Sequence, residues 1–419
     1  MAKFIINGET PLKGEITTAG NKNAALPIIV ATLLTEEKCL LKNIPEIADV
    51  HIMFQLLQSL GKKVTQLQPH VYQIEGSVNS TKIPFELGAR LRASILLLGG
   101  ILPKAGEVFL PPPGGCVIGK RKLDAHLDAV KAFGAQFMSD GTFFQFQLNQ
   151  PVASHILLKE ASVTATANAL LIAAAIPGKT IIENAASEPH IVDLCHVLQK
   201  MGAQIEGVKS NLLTVIGAKK LAGFEHEIVP DHIEAATWAI TAACLQSELI
   251  IHQAWQEHLQ MITYHLKQMN VNLQFLDPFT LKISPSKLIS KAGKVQVGLW
   301  PGFPTDLMSP MIVLASQAQG MTLCHDWMYE SRMFFIDKLS VMGAQVVLCD
   351  PHRVIVHGPS KLKGQELSSP DIRAGIALVI AAMAASGKSE IDRIELIDRG
   401  YEKVDESLRA IGADIKRIS

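Results

Sequence analysis

The segment Pro111-Pro112-Pro113-Gly114-Gly115-Cys116-Val117-Ile118-Gly119-Lys120-Arg121 puts a thiol among cations. Its three prolines and three glycines exclude a helix or a central strand. The sequence therefore predicts a long loop with Cys116 near its centre, followed at once by Lys120, Arg121 and Lys122. Neighbouring cations lower a thiol pKa and make it a nucleophile or a usable acid; the plain alternative is a stray loop cysteine. Cys39, Cys195, Cys244, Cys324 and Cys349 lie in apolar stretches and read as structural. None of the six cysteines forms a CxxC pair, so neither a zinc site nor a disulfide framework is suggested.

A second set of reactive side chains gathers where apolar segments begin. These are Lys22 and Asn23; Arg90 and Arg92; Ser162, Thr164 and Thr166; Asp231, His232 and Glu234; Thr305 and Asp306; Asp371 and Arg373. A helix N-terminus carries free N–H groups and partial positive charge, so several ends converging on one cleft could bind phosphate without a metal. Capping alone accounts for residues such as Ser162 or Asp231. It does not account for Lys22, Arg92 or Arg373, because a cation there opposes the dipole and requires an anionic partner or ligand. Two similar phrases, Tyr329-Glu330-Ser331-Arg332 and Asp398-Arg399-Gly400-Tyr401-Glu402, open amphipathic segments at corresponding places. Surface ion pairing, which contributes little, is their plain reading.

The elements that position these residues recur. An amphipathic helix followed by Gly-x-x-apolar appears at Gly61, Gly134, Gly202, Gly343 and Gly412, with Asn270 in the glycine slot of a sixth copy. Successive slots are 68 to 73 residues apart. Gly or Asn after a helix predicts a left-handed cap, and the apolar residues beyond it a strand. Between these phrases lie segments that are apolar all round, 23–34, 92–102, 162–176, 231–245, 306–315 and 371–385, which predict buried helices. Each repeat reads as buried helix, strand, amphipathic helix, strand and hairpin. The four residues after Ile415 and the 21 before Lys22 together make one ordinary inter-repeat gap. An N-terminal hairpin over 3–17 is therefore expected to complete the sixth repeat. Two three-repeat domains follow, 22–230 and 231–419 plus 1–21, with crossings near Ala19–Gly20 and Val229–Pro230 and a cleft that closes on a ligand.

Composition sets outer bounds. The 419 residues are 48% hydrophobic and 19% charged, which excludes disorder as the main state. Thirty-nine basic and 39 acidic residues cancel, and aromatics are 5%. That argues against a nucleic-acid partner, which needs a basic field or stacking platforms. The stretch from Ala374 to Ala385 is too short for the ~20 residues of a membrane span, so no membrane insertion is expected. The first residues carry no signal-like apolar core, and a reduced cytoplasm is the expected compartment.

The phrases GNKNAALP, LRASILLLG, PGGCVIGKRKLDAHL, IIENAASEPHIVD, FPTDLMSPM, YESRMFF, DIRAG and IDRGYEKVDESLRAIGA run in order along the whole chain. Together they make it resemble the UDP-N-acetylglucosamine 1-carboxyvinyltransferase (enolpyruvyl transferase) family. The resemblance implies an inside-out α/β barrel of two three-repeat domains. It also implies the first committed step of peptidoglycan precursor synthesis, with phosphoenolpyruvate and UDP-N-acetylglucosamine as substrates and no metal or other cofactor. By the resemblance, Cys116 is the general acid, the site of a phosphoenolpyruvate adduct and the target of fosfomycin. Asp306 is the carboxylate at the sugar hydroxyl, and Lys22 and Asn23 hold phosphoenolpyruvate. Arg121 and Arg399 face phosphate, and Arg332 and Arg373 the carboxylate. Arg92, Arg121, Lys122, Leu123, Asp124, Ala125, Ser162, Val163 and Met328 lie on the nucleotide-sugar side, and Glu330 and Asp371 orient the arginines. The chain departs from the family pattern at Glu160, where a lysine is usual, and at Thr164, Lys122 and His232, where glycine, proline and arginine are usual. Two other readings share these features: a paralogue with another hydroxyl acceptor, and a non-catalytic relative. Loss of Cys116, Asp306, Lys22 or Arg399 would mark the latter, and all four are present.

Overall fold

A computed structural model describes residues 2–114, 119, 123–291 and 293–418. Cys116, Lys120, Arg121 and Lys122, prominent in the sequence, lie outside the described residues. The chain divides into two compact units. The Lys22 unit holds Gly20–Gly115 and Arg121–Val229; the Asp306 unit holds Met1–Ala19 and Pro230–Ser419, together with Gly119.

Each unit has its own hydrophobic core. At its centre three helices pack on one another. In the Lys22 unit these are Lys22–Ala31, Leu97–Ala105 and Val163–Ala175. In the Asp306 unit they are His232–Cys244, Met308–Gln317 and Ile372–Ala384. Nearly every residue of Val163–Ala175 and of Ile372–Ala384 is buried, as a helix apolar on all sides requires. Close approach in the Lys22 unit depends on Gly99 and Gly100. A Cβ at Gly99 would come 2.8 Å from Leu171 Cβ, and one at Gly100 2.8 Å from Val30 Cγ1.

Sheets surround the helices, and their strands alternate buried and exposed side chains, so one face rests on the core. Five of the six follow one plan. The strand after a buried helix pairs antiparallel with the returning arm of a hairpin and parallel with a strand that enters a buried helix. In the three-stranded sixth the parallel neighbour shrinks to a single bridge between Lys82 and Phe109. Parallel neighbours require a crossover, and the buried helix supplies it.

The plan is exchanged where the chain passes between units. Lys13–Thr17 runs toward the helix Lys22–Ala31, yet it pairs with Glu248–His252, Ile16 opposite Ile251. Glu225–Glu227 runs toward the helix His232–Cys244, yet it pairs with Cys39–Lys42, His226 opposite Leu41. The expected N-terminal hairpin does not form. Lys3–Asn7 lies between Lys388–Asp392 and Asp414–Ile418, antiparallel to both. With both its edges occupied, it has no edge left for Lys13–Thr17.

The six glycine slots all adopt the left-handed conformation: φ is 108° at Gly61, 97° at Gly134, 114° at Gly202, 60° at Asn270, 100° at Gly343 and 102° at Gly412. Asparagine tolerates this region better than other residues with a Cβ, which explains the sixth copy. Two of the buried helices start differently from expectation. Their first turns, Arg92–Leu96 and Thr305–Leu307, are 3₁₀. At the first buried helix the capping side chain is Asn21, accepting from Ala24 N at 3.0 Å, and not Asn23.

Candidate active site

In the Asp306 unit three helix starts and one turn bring charges together. Pro304 opens the 3₁₀ turn that carries Asp306. Asp371 caps the helix Ile372–Ala384 by accepting from Arg373 N at 2.8 Å and Ala374 N at 3.1 Å, which sets Arg373 in its first turn. Arg332 begins the turn Arg332–Phe335. Arg332 Nη2 donates to Asp306 Oδ1 at 3.2 Å. Arg373 Nε and Nη2 meet Asp306 Oδ2 at 3.1 and 3.0 Å. Arg332 Nη1 stands 4.0 Å from Asp371 Oδ1. Only 2% of Arg332 and 5% of Arg373 is exposed, so the plain reading of surface charge pairing fails for Arg332.

The electrostatics follow from burial. Burial by itself would lower the Arg373 pKa, but the fields of Tyr401 and Asp306 raise it, so this guanidinium is held as a cation. It lies over the Tyr401 ring at 5.3 Å, and the Tyr401 hydroxyl is 3.0 Å from Thr237 Oγ1. Asp231 caps the helix His232–Cys244, and burial raises its pKa against the pull of Arg373. Burial, with the charges of His258 and Arg373, takes His232 down to about 3, so it is neutral. Its ring packs edge-on to Trp300 at 5.8 Å. Two buried donors, Arg332 Nε and Arg373 Nη1, have no hydrogen-bond partner among the described residues. A buried donor left unpaired costs about 1–3 kcal/mol, more when charged. Two on adjacent cations have the chemistry of a site for an anion.

In the Lys22 unit, Lys22 Nζ lies 2.7 Å from Asp49 Oδ2, with 13% and 3% of the two side chains exposed. Asp49 belongs to the first turn of the helix Ala48–Ser59. Ser162 caps the helix that Val163 begins, accepting from Ala165 N at 3.4 Å. The helix Asp124–Ala132 starts after Leu123; Asp124 is exposed, Ala125 is packed in the core and His126 is buried.

His126 is fixed on both ring nitrogens. Asn168 Oδ1 accepts from Gly99 N at 3.0 Å, so its Nδ2 is the amide end that donates to Ile95 O at 3.0 Å and meets His126 Nδ1 at 2.9 Å. Nδ1 is therefore an acceptor, and Nε2–H donates to Thr164 Oγ1 at 3.0 Å. Burial first, and the charge of Arg92 second, hold His126 at about 3, so it is neutral.

The expected residues thus fall into two groups. Asp306, Arg332, Asp371 and Arg373 form one cluster. Met328 packs on the same core, and a Cβ at Gly119 would come 2.6 Å from Glu330 Oε2. Arg399 sits half-buried in the turn before the helix Val404–Ala410, while its neighbour Asp398 takes a two-toothed pair with Arg417 at 2.7 and 2.9 Å. Lys22, Asn23, Arg92, Leu123, Asp124, Ala125, Ser162 and Val163 belong to the other unit. Glu160 is exposed, and Lys159 pairs with Asp128 at 2.8 Å. Four structural cysteines are buried; Cys349 is a correction, exposed on the strand Gln345–Asp350. Alternation along that strand puts Cys349 on the same face as the exposed Gln345 and Val347, opposite the half-buried Val346. Sequence reasoning missed Asp49, His126, Asn168 and Asp326. The first carried a signal, an acid one repeat-strand beyond the unexplained Lys22; the others looked like ordinary polar residues.

The family model for EPSP synthase (3-phosphoshikimate 1-carboxyvinyltransferase) matches residues 6–408. The chain is 45% identical, over 99% of both chains, to a UDP-N-acetylglucosamine 1-carboxyvinyltransferase of Treponema denticola. It is 43% identical to the protein of that name from Bradyrhizobium diazoefficiens, over 99% of this chain and 98% of the other. Among solved structures, the enolpyruvyl transferase NikO from Streptomyces tendae superposes with a TM-score of 0.90 at 21% identity, covering 99% of this chain and 98% of its own. EPSP synthase from Acinetobacter baumannii gives 0.77 at 18% identity, with full coverage of both. These two superpositions show the two-domain α/β fold.

Proposed function

The chain belongs to the EPSP synthase family of enolpyruvyl transferases, and from that premise we propose that it moves the enolpyruvyl group of phosphoenolpyruvate to the 3'-hydroxyl of UDP-N-acetylglucosamine. The observation that carries this reading is the pair of buried donors beside Asp306, Arg332 Nε and Arg373 Nη1: neither has a hydrogen-bond partner among the described residues, and Asp326 Oδ2 stands 3.8 Å from the first. They suit the carboxylate of phosphoenolpyruvate, because guanidinium forks match a planar anion. Asp306, clamped by the same arginines, takes the proton of the sugar hydroxyl as that oxygen bonds to C2. C3 gains a proton from Cys116, giving a tetrahedral ketal. Loss of phosphate from C2 and of a proton from C3 then gives the enolpyruvyl ether.

Lys22, balanced by Asp49, and Asn23 stabilise the ketal, and Arg121 and Arg399 receive the departing phosphate. Arg92, Lys122, Leu123, Asp124, Ala125, Ser162, Val163 and Met328 serve the nucleotide sugar, and Glu330 and Asp371 orient the arginines. Fosfomycin alkylates Cys116 on this reading. The product is the first committed peptidoglycan precursor, made in the cytoplasm. No helix among the described residues is long and apolar enough to cross a membrane.

A second reading, another hydroxyl acceptor, is favoured by Glu160. Its carboxylate is exposed and Lys159 is engaged with Asp128, so that lysine does not offset repulsion of a diphosphate. Phosphate release from phosphoenolpyruvate across a panel of UDP-sugars, with products identified by mass spectrometry, decides between them. The enolpyruvyl ether of UDP-N-acetylglucosamine is expected. Product only with another acceptor would overturn the acceptor assignment, and no phosphate with any acceptor would overturn the reaction.

A further inference from the structure

Asp326 and Thr305 each depart from a pattern that four of the other five repeats keep; Pro111 and the start at Arg92 are the other departures. Asp326 follows the strand Gly320–His325. In the other repeats the residue just after the corresponding strand is Asn43, Pro111, Asn184, Gln253 or Arg393. The four of these that are not proline turn the chain through positive φ, 55° or 56°. Asp326 is not among the positive-φ residues, and its carboxylate points inward, with none of it exposed. Oδ1 accepts from Met328 N at 3.0 Å and Tyr329 N at 3.3 Å. Oδ2 accepts from Thr305 Oγ1 at 2.5 Å and stands 3.8 Å from Arg332 Nε. Its backbone is fastened to His352 twice: Asp326 N donates to His352 O at 2.8 Å, and His352 Nδ1 donates to Asp326 O at 2.7 Å.

Thr305 is the second exception. Four buried helices are capped by a side chain, from Asn21, Ser162, Asp231 and Asp371. At the start of the Asp306 turn no side-chain cap bond is present among the described residues, and the Thr305 hydroxyl reaches Asp326 instead. Thr305 directly precedes Asp306, and Arg332 binds Asp306 from the other side. One buried carboxylate therefore holds both neighbours of the candidate base.

We propose that Asp326 is a positioning residue for the transfer reaction, fixing through Thr305 and Arg332 the direction in which Asp306 presents its carboxylate. The proposal rests on the reading that Asp306 takes the hydroxyl proton. Asp326 touches no reacting atom, so its effect is on the chemical step: a base aimed badly loses rate, while substrates held by other groups still bind.

The test is Thr305→Val, which keeps the side-chain shape and removes the one hydroxyl donor. Turnover is expected to fall about tenfold to a hundredfold, with the KM for phosphoenolpyruvate and acceptor within about threefold and the thermal midpoint unchanged; Thr305→Ser is expected to recover most of it. Asp326→Asn, which keeps the size and loses the charge facing Arg332, is expected to fall further. A Thr305→Val enzyme as fast as wild type would overturn the proposal. So would a loss shared between turnover and thermal midpoint that Thr305→Ser does not repair, because that marks a purely structural bond. A wild type that releases no phosphate with any acceptor would overturn the function reading and this proposal with it.

Discussion

Lys22 and Arg373 each occupy the first turn of a buried helix, where the peptide dipole repels a positive charge. The sequence shows that tension and so points to them, but it does not show where the compensating charges come from. Asp49 answers for Lys22 and Asp306 for Arg373, each from a different element. Such pairs are set by tertiary packing, and no local pattern marks which acids turn inward. The Asp306 pairing yields a prediction. Asp306→Asn removes the charge between two buried arginines, so the substrate-free protein is expected to lose thermal stability and turnover to fall about 10²- to 10⁴-fold. Phosphate release and melting of the same preparation check both halves, and an unchanged rate would remove Asp306 as the base. Cys116→Ser is expected to cost turnover on a similar scale and to abolish the fosfomycin adduct seen by mass spectrometry. An adduct on Cys349, the exposed thiol among the described residues, would instead count against the loop assignment.

Helices and caps were largely legible in the sequence because the repeat states them six times over. The left-handed slot at Asn270 was readable only against its five glycine counterparts, and φ of 60° there shows the same cap at work. Strand partners were not legible where the chain exchanges them: Lys13–Thr17 has no local feature that selects Glu248–His252 over Lys3–Asn7. The 3₁₀ starts at Arg92 and Thr305 were hidden too, since an i→i+3 turn has the same apolar pattern as the helix it leads into. Nor did composition reveal that Asn168, inside an apolar helix, ties Gly99, Ile95 and His126 together. Asn168→Ala strands three buried polar groups at the contact between two central helices. It is expected to cost about 2–4 kcal/mol, read as a lower denaturation midpoint without change in m-value. A loss below about 0.5 kcal/mol, the ordinary scatter of a surface change, would mean that water replaces the amide.

At the scale of the whole chain, the two crossings are held by buried carboxylates, one in each unit. Glu234 Oε2 accepts from Ala19 N at 3.0 Å, and Asp193 Oδ2 accepts from Val229 N at 3.3 Å. Asp193 also binds His226 Nε2 at 2.9 Å, on the strand that leads to the crossing. Glu234 is the more telling of the two. Burial, the charge of Asp231 and, further down, that of Glu402 lift its pKa from 4.5 to about 8, against the hydrogen bonds from Ala19 N and Trp238 Nε1. In the unfolded chain it ionises near its ordinary value. As pH rises above about 4.5 the unfolded state sheds this proton while the folded state keeps it, so stability drains away across the interval up to about 8 and then levels off. Glu234→Gln cannot ionise. It loses one acceptor, a constant offset, but not the slope. Relative to Glu234→Gln, wild type is therefore expected to be most stable below about pH 4.5 and least above about pH 8, measured as melting temperatures of both proteins in parallel buffers. Curves that run parallel through that interval would mean that Glu234 is already charged in the fold, and that the Ala19 crossing is held by an ionised carboxylate at every pH where the protein works.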